Sequence, residues 1–484
     1  MSESILVAKA LVGPDFRPVG PSEIHMSDGR ITAVTPAPAG AKTTALALPA
    51  PVNAHDHARP LSATSFGLAG EPLETWLVGL GAMPPVDAGL AARAALARAA
   101  LGGSAAVMVH LTRPMGLVPL EEEVLQIADA ADAVGLRIAL ALSLRDRNPL
   151  TYGDHGPVLD ALSANGDVAA ASRLAATLNR PMPPIAAQID AVERVAGALK
   201  GRGVDVQFGP TGPQWCSPDL LQAIAEASAR TGRRVHMHLL ETRYQRAWAD
   251  QHFPDGIVQF LDRIGLLGPR LTLAHGTWCR AEELAAIAAA GATIAINTSS
   301  NLHLKSGIAP VTAMKAAGVR VAMGLDGCAL DEDDDALREL RLMRLLHAGH
   351  GFDEGLSRQD VLSAACRAGR ATLGLPEGGQ LVAGAPADIL LLDMTALDRD
   401  GLLPVDPRAL LFARARREHI LDLWVEGRHV ISNRTLVGLN AAEAESALRA
   451  AYRDALPGTA EFREDWSKLR PALAAWFRDR MGCC

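Results

Sequence analysis

What most constrains the fold is an alternation. Short apolar runs take turns with segments of helical spacing such as PDLLQAIAEASARTG and AEELAAIAAAGA. There are eight runs: ALALPAPVNAHDH, AAVMVHL, LRIALALSLRD, VDVQFGP, RRVHMHLL, LTLAHG, TIAINTSS and VRVAMGLDG. Runs that stay apolar along their length predict strands buried on both faces, hence a parallel sheet with helices outside it. Eight such units predict an α/β fold, a closed (β/α)8 barrel of the TIM type.

The flanks have a different texture. SILVAKALVG, SEIHMSDGRITAV and TTALAL precede the barrel, and GGQLVAGAPADILLLD and ILDLWVEGRHVISN follow it. Hairpin-type turn signals, SDG and EGR, punctuate them. They predict one small β-sandwich assembled from both chain ends. Beyond it, NAAEAESALRAAYRDAL and WSKLRPALAAWFRDRM return to helical spacing, with Asn440 as N-cap. The expected division is 1–50 and 376–435 for the sandwich, 51–375 for the barrel and 436–484 for a helical tail, to which we assign packing or an oligomer contact and no chemistry.

Bulk properties exclude several function classes. The 484 residues carry a net charge of −7, which leaves no basic footprint for nucleic acid. The start, MSESILVAKALVG, lacks the pattern of a signal peptide, and AALGGSAAVMVHL is too short to span a bilayer, so a cytoplasmic protein without membrane contact is expected. Apart from Cys483-Cys484 the six cysteines are scattered singly, without a CxxC pair, so neither a disulfide framework nor a zinc ribbon is expected.

Polar residues gather at the C-terminal ends of the runs, where barrel enzymes build their sites. Five of the fourteen histidines end the first, fifth or sixth run: His55, His57, His236, His238 and His275. The eighth ends at Asp326. Residues i and i+2 of a strand share a face, so His55 and His57 aim at one spot. With His238 and Asp326 they offer three nitrogens and a carboxylate, a donor set suited to zinc or a similar ion. Glu241, three residues after His238, is placed to shuttle protons without being a ligand. His275 is placed to hydrogen-bond the activated water. No lysine or glutamate ends the fourth run, so one metal ion is expected and not two.

These pieces resemble the metal-dependent amidohydrolase superfamily, on the side of its mononuclear deaminase branch of cytosine, guanine, 8-oxoguanine and S-adenosylhomocysteine deaminases and triazine hydrolases. VNAHDH, HMHLLE, LAHG, NTSSNLHLKSGIAPV and GLDG occur in the family's order, with DGRITAV before and GGQLVAGAPADILLLD after. The resemblance implies metal ligation by His55, His57, His238 and Asp326, proton shuttling by Glu241, charge stabilisation by His275, and Asp326 as the base toward water. It implies one divalent ion, zinc before iron, a small-molecule substrate and a homodimer. The reaction implied is hydrolysis of a C–N bond: deamination of a purine-, pyrimidine- or pterin-like heterocycle by water activated on the metal, with release of ammonia. Two motifs depart from the family: PAP replaces its Pro-Gly before the first pair, and Asn297-Thr298 its Asn-Pro at the seventh strand.

Alternatives stay open at this point. The same apparatus serves an aminohydrolase or dechlorinase of triazines, or an iminohydrolase of an acyclic formimino compound. Arg113 and Arg145 would favour the last by reading a carboxylate. A binuclear cyclic-amide hydrolase and a non-catalytic barrel are the readings from other classes. Gln214, Trp215 and Asn301 are the expected substrate contacts. His236 reads as a core group beneath the metal, His110 as a satisfied polar or rim residue, and His303 as a solvated loop histidine. DEDDD, residues 331–335, begins a helix, and Trp76 either lines a pocket or only packs.

Overall fold

The computed structural model describes residues 3–375 and 377–481. Cys483 and Cys484 lie outside them. An eight-stranded parallel sheet forms the barrel. Its strands are β1 (Val52–Asp56), β2 (Ala106–Leu111), β3 (Arg137–Leu144), β4 (Asp205–Pro210), β5 (Val235–Leu239), β6 (Leu271–His275), β7 (Thr293–Ile296) and β8 (Arg320–Met323), each hydrogen-bonded to its neighbour in chain order. Nearly every strand residue is buried, because helices cover the outside and side chains fill the inside. Ala54, Ala295 and Ala322 sit together within the barrel, small enough to let the strands converge.

The first apolar run is two strands, not one. Ala45–Pro49 ends in one sheet, the chain turns at Ala50-Pro51, and Val52 opens β1 in another. Proline at 51 cannot donate to a ladder, so the run breaks there. Ala45–Pro49 pairs antiparallel with Ile389–Asp393 and parallel with Lys9–Val12. That pairing welds the two chain ends into one seven-stranded sheet, and a three-stranded sheet of Glu3–Val7, Ser22–Ser27 and Arg30–Pro36 packs beside it.

A buried carboxylate clamps this sandwich to the barrel. Asp388 Oδ2 accepts from Arg370 Nη1 at 2.6 Å and from Arg137 Nη2, at the start of β3. Its Oδ1 accepts from the backbone N–H of Glu426 at 2.8 Å.

The tail does pack. Asn440 caps the helix Ala441–Ala455, whose Leu448 and Tyr452 bury against Val86, Ala91 and Ala94. The helix Ala460–Met481 lies over the barrel mouth. Phe462 occupies the space above Gly81, where any Cβ would come within 2.4 Å of its ring. Phe477 meets Tyr152 and Tyr244, and Asp465 takes a bidentate pair from Arg173 at 2.6 and 2.7 Å. No helix among the described residues is long and apolar enough to cross a membrane.

Removing Asp388 would leave the buried Arg370 guanidinium without a carboxylate and Arg137 with Glu426 alone. Asp388→Ala is therefore expected to cost about 3–5 kcal/mol, read as a shift in the denaturant midpoint. A loss below about 1 kcal/mol would mean that the arginines find other partners.

Candidate active site

The site begins with backbone geometry. Ala58, Leu240, His275 and Asp326 all have positive φ, at 48°, 49°, 74° and 66°. Non-glycine residues resist this left-handed region, and their clustering at strand exits turns side chains inward at the barrel mouth. Gly324 has a separate reason to be glycine. A Cβ there would lie 2.2 Å from Asn297 Oδ1 and 2.9 Å from His55 Cβ.

Four of the expected ligands meet. Asp326 Oδ1 lies 3.0 Å from His57 Nε2 and 3.4 Å from His55 Nε2. His238 Nε2 is 3.3 Å from His57 Nε2. Ligands about 2.0–2.1 Å from a tetrahedral zinc stand about 3.3–3.4 Å apart, so these separations suit one ion. The remaining ring nitrogens are tied down behind the site. His57 Nδ1 donates to the carbonyl of His110 at 2.7 Å and His238 Nδ1 to that of Thr211 at 2.7 Å, which leaves each Nε2 as a bare lone pair. His55 Nδ1 lies 2.8 Å from His236 Nε2.

Two atoms of this group are orphans. His55 Nε2 and Asp326 Oδ1 are buried without a hydrogen-bond partner. Such atoms are costly unless something binds them, and a cation between them satisfies both. The protonation states agree. Burial pushes the His57 imidazole down to about 3 and lowers His55 and His238 as well, so all three are neutral near pH 7. Burial opposes ionisation of Asp326, yet the edges of His55 and His57 hold it well below the usual carboxylate range. Neutral imidazoles and an ionised carboxylate are what a divalent ion requires. His55, His238 and His275 form a second grouping with ligand spacing, sharing His55.

Around the group lies a cavity of about 380 Å³. Glu241 lines it, its Oε1 accepting from Ser306 Oγ at 3.2 Å, and burial raises its carboxyl to about 7. His275 Nε2 stands 3.8 Å from both Glu241 Oε2 and Asp326 Oδ2. Ser300 Oγ donates to Asp326 Oδ2 at 2.7 Å.

The expected substrate contacts divide. Trp215 lines the cavity; Gln214 and Asn301 do not. Asn301 Oδ1 is instead 2.8 Å from His275 Nδ1, so it orients that ring. Gln214 is buried behind Trp215, since Pro213–Trp215 forms one tight turn of helix that alternates their directions. Trp76, Arg113 and Arg145 do line the cavity. Arg113, however, spends its guanidinium on the carbonyls of Leu80 and Met83. His236 sits in the barrel interior against His55, and His110, also fully buried, donates from Nε2 to the carbonyl of His236 at 3.2 Å. The rim position allowed for His110 is not where it lies. His303 belongs to the short helix Thr298–His303 and not to a loop. In the acidic run, Asp335 caps the helix Ala336–Leu346, while Asp331 and Asp334 are buried beside it.

Three wall residues escaped the sequence reading. Arg59 follows the His-x-His pair by two, a spacing that carried a signal. Tyr152 gave none. Phe462 comes from the tail that was assigned no chemistry; its ring forms part of the cavity wall because the terminal helix folds back across the mouth.

Comparisons with known proteins show what the chain is similar to. Residues 46–430 match the model of the amidohydrolase family. The 8-oxoguanine deaminase of Pseudomonas aeruginosa is 29% identical over 420 residues, 85% of this chain and 88% of that protein. The 5'-deoxyadenosine deaminase of Methanosarcina barkeri is 31% identical over 257 residues, and there the match spans 53% of this chain and 59% of the relative. The crystal structure of an adenosine deaminase from Xanthomonas campestris with bound zinc superimposes with a TM-score of 0.77 at 22% identity, over 94% of this chain and 98% of that one.

If the orphaned pair marks a cation site, a divalent ion added to chelated protein raises the melting temperature. An ion at a hundredfold over its Kd adds about 2.7 kcal/mol. Asp326→Ala should remove most of that rise; an undiminished rise would put the ion elsewhere.

Proposed function

The chain belongs to the amidohydrolase family, and from that premise we propose that it is a zinc-dependent deaminase of an amino-substituted purine-, pyrimidine- or pterin-like heterocycle. The observation that carries the proposal is the convergence of His55, His57, His238 and Asp326 beside Glu241 on one cavity floor. The deaminases among its relatives and the zinc in the Xanthomonas structure support the reaction and the ion. His55, His57, His238 and Asp326 would hold the ion. When bound, it supplies Lewis-acid activation of water.

The chain's own groups do the rest. Asp326 accepts the proton that water gives up as its oxygen bonds to the amine-bearing carbon. Glu241 is protonated over a useful fraction of molecules near pH 7, and it delivers that proton to the ring nitrogen beside the carbon under attack. His275, fixed by Asn301, faces Glu241 and Asp326 and holds charge that builds on oxygen when its Nε2 carries a proton. The C–N bond then breaks as the departing nitrogen takes up the proton returned through Asp326; the remaining hydroxyl proton passes to the ionised Glu241, which restores it, and ammonia and an oxo-heterocycle remain. Leu73, Leu77, Leu150 and Trp215 keep bulk water from the ring.

Ammonia release from a panel of amino-purines, amino-pyrimidines and pterins, with a triazine and formiminoglutamate as the other arms, tests the proposal. Glu241→Gln should lower the rate on the order of 10²–10⁴ while elemental analysis shows the metal retained. Turnover only on the triazine or the formimino compound would move the assignment there, and an active Glu241→Gln would remove the proton shuttle.

A further inference from the structure

Arg59 lines the cavity without a hydrogen-bond partner for its guanidinium. Arg59 leaves β1 two residues after His57, and its side chain is only 13% exposed. The guanidinium lies over the indole of Trp76, 4.9 Å from the ring centroid. Its nearest charge is Asp326 Oδ1, at 4.0 Å from Nη1, beyond hydrogen-bonding range. Asp326 Oδ2 accepts from Ser300, and Oδ1 faces the lone-pair nitrogens of His55 and His57 where a cation would sit. Among the described residues the Arg59 guanidinium makes no hydrogen bond, and Nη1 is buried without a partner.

A guanidinium offers only donors, and a buried donor left unmade is expensive. Burial opposes the charge, and Asp326, Asp56 and Glu241 offset part of that cost while Arg113 adds to it. What is missing is an acceptor for its N–H groups. Trp76 fixes the plane of the fork, so the donors are aimed before any ligand arrives. The cavity is the space they face.

We propose that Arg59 donates hydrogen bonds to a carbonyl oxygen of the substrate ring, and that the substrate class is therefore an amino-heterocycle that already carries an oxo group. Guanine- or cytosine-like rings belong to it; 2-aminopurine- or 4-aminopyrimidine-like rings do not. The proposal rests on the deaminase reading for the kind of ring it names. The recognition itself comes from Arg59 alone. A site built to hydrogen-bond an oxygen rejects the analogue that lacks it, because the buried donors are then unpaired.

Reaction products bind without turning over, so they serve as probes. Zinc-loaded protein is titrated calorimetrically with two matched pairs, xanthine against purin-2-one and uracil against pyrimidin-4-one. Each pair differs by the one additional carbonyl. The wild type should prefer the dioxo member of at least one pair by about ten- to hundredfold, the range of a hydrogen bond to a charged group. Arg59→Gln should bring that ratio to about one with the zinc content unchanged, and Arg59→Lys should keep part of it. The proposal is overturned if no pair shows a preference in the wild type, or if the preference survives Arg59→Gln. Should Arg59→Gln fail to fold, Arg59→Lys decides: an undiminished ratio overturns the proposal. Ammonia release from guanine, cytosine, 2-aminopurine and 4-aminopyrimidine separates the two readings. Equal turnover with and without the oxo group keeps the deaminase and removes the role of Arg59. An intact binding ratio without any ammonia keeps Arg59 and removes the deaminase.

Discussion

The carbonyl of His55 accepts from the backbone N–H groups of Leu325, at 3.2 Å, and of Asp326, at 2.9 Å. These bonds join the two ends of the parallel sheet, since β8 runs out at Met323 and the ladder between β8 and β1 is carried by the residues just beyond it. Asn53 Oδ1 adds a third tie to the N–H of Leu325 at 2.9 Å. The closure of the barrel and the meeting of Asp326 with His55 and His57 are thus one event. Gly324 permits it by leaving room for His55 and Asn297. A barrel that closed in another register would separate the carboxylate from the imidazoles, so fold and site stand or fall together.

Closure also concentrates polar groups where they are hardest to keep. Six imidazoles, those of His55, His57, His110, His236, His238 and His275, gather with Asp326 in the barrel, and His55 and His236 stack with an interplanar angle of 2°. Burial keeps the rings of His55, His57, His110, His236 and His238 neutral, which avoids a knot of like charge. It also leaves Nδ1 of His110 and of His236 without partners. A structure pays such costs where function demands them. His275 and Asp326, both at positive φ, flank the same point.

Much of this was legible in the chain, for reasons that differ by residue. Each barrel strand announces itself because burial on both faces forbids polar residues until the strand ends, and the residue at the end is then conspicuous. That is why His55, His57, His238, His275 and Asp326 stand out. The break at Pro51 was hidden, because ALALP and VNAHD are equally apolar although they serve different sheets. Asn301 was misread because a short helix, Thr298–His303, turns it toward His275 and away from the cavity. No periodicity could have placed Phe462 beside Trp76, since only the return of the terminal helix over Gly79 and Gly81 brings them to one wall.

The division between floor and wall follows from that geometry. The floor comes from strand ends, which the barrel holds in place and which admit little change. The wall comes from loops and from the helix Ala460–Met481, beyond the family match that ends at residue 430. Gly79 and Gly81 keep the wall close: a side chain at Gly79 would run into Leu68, and one at Gly81 into the ring of Phe462. The reaction type therefore resides in the part shared with relatives. The groups that line the wall, Phe462, Trp76 and Arg59 among them, are positioned by the barrel without their identity being dictated by it.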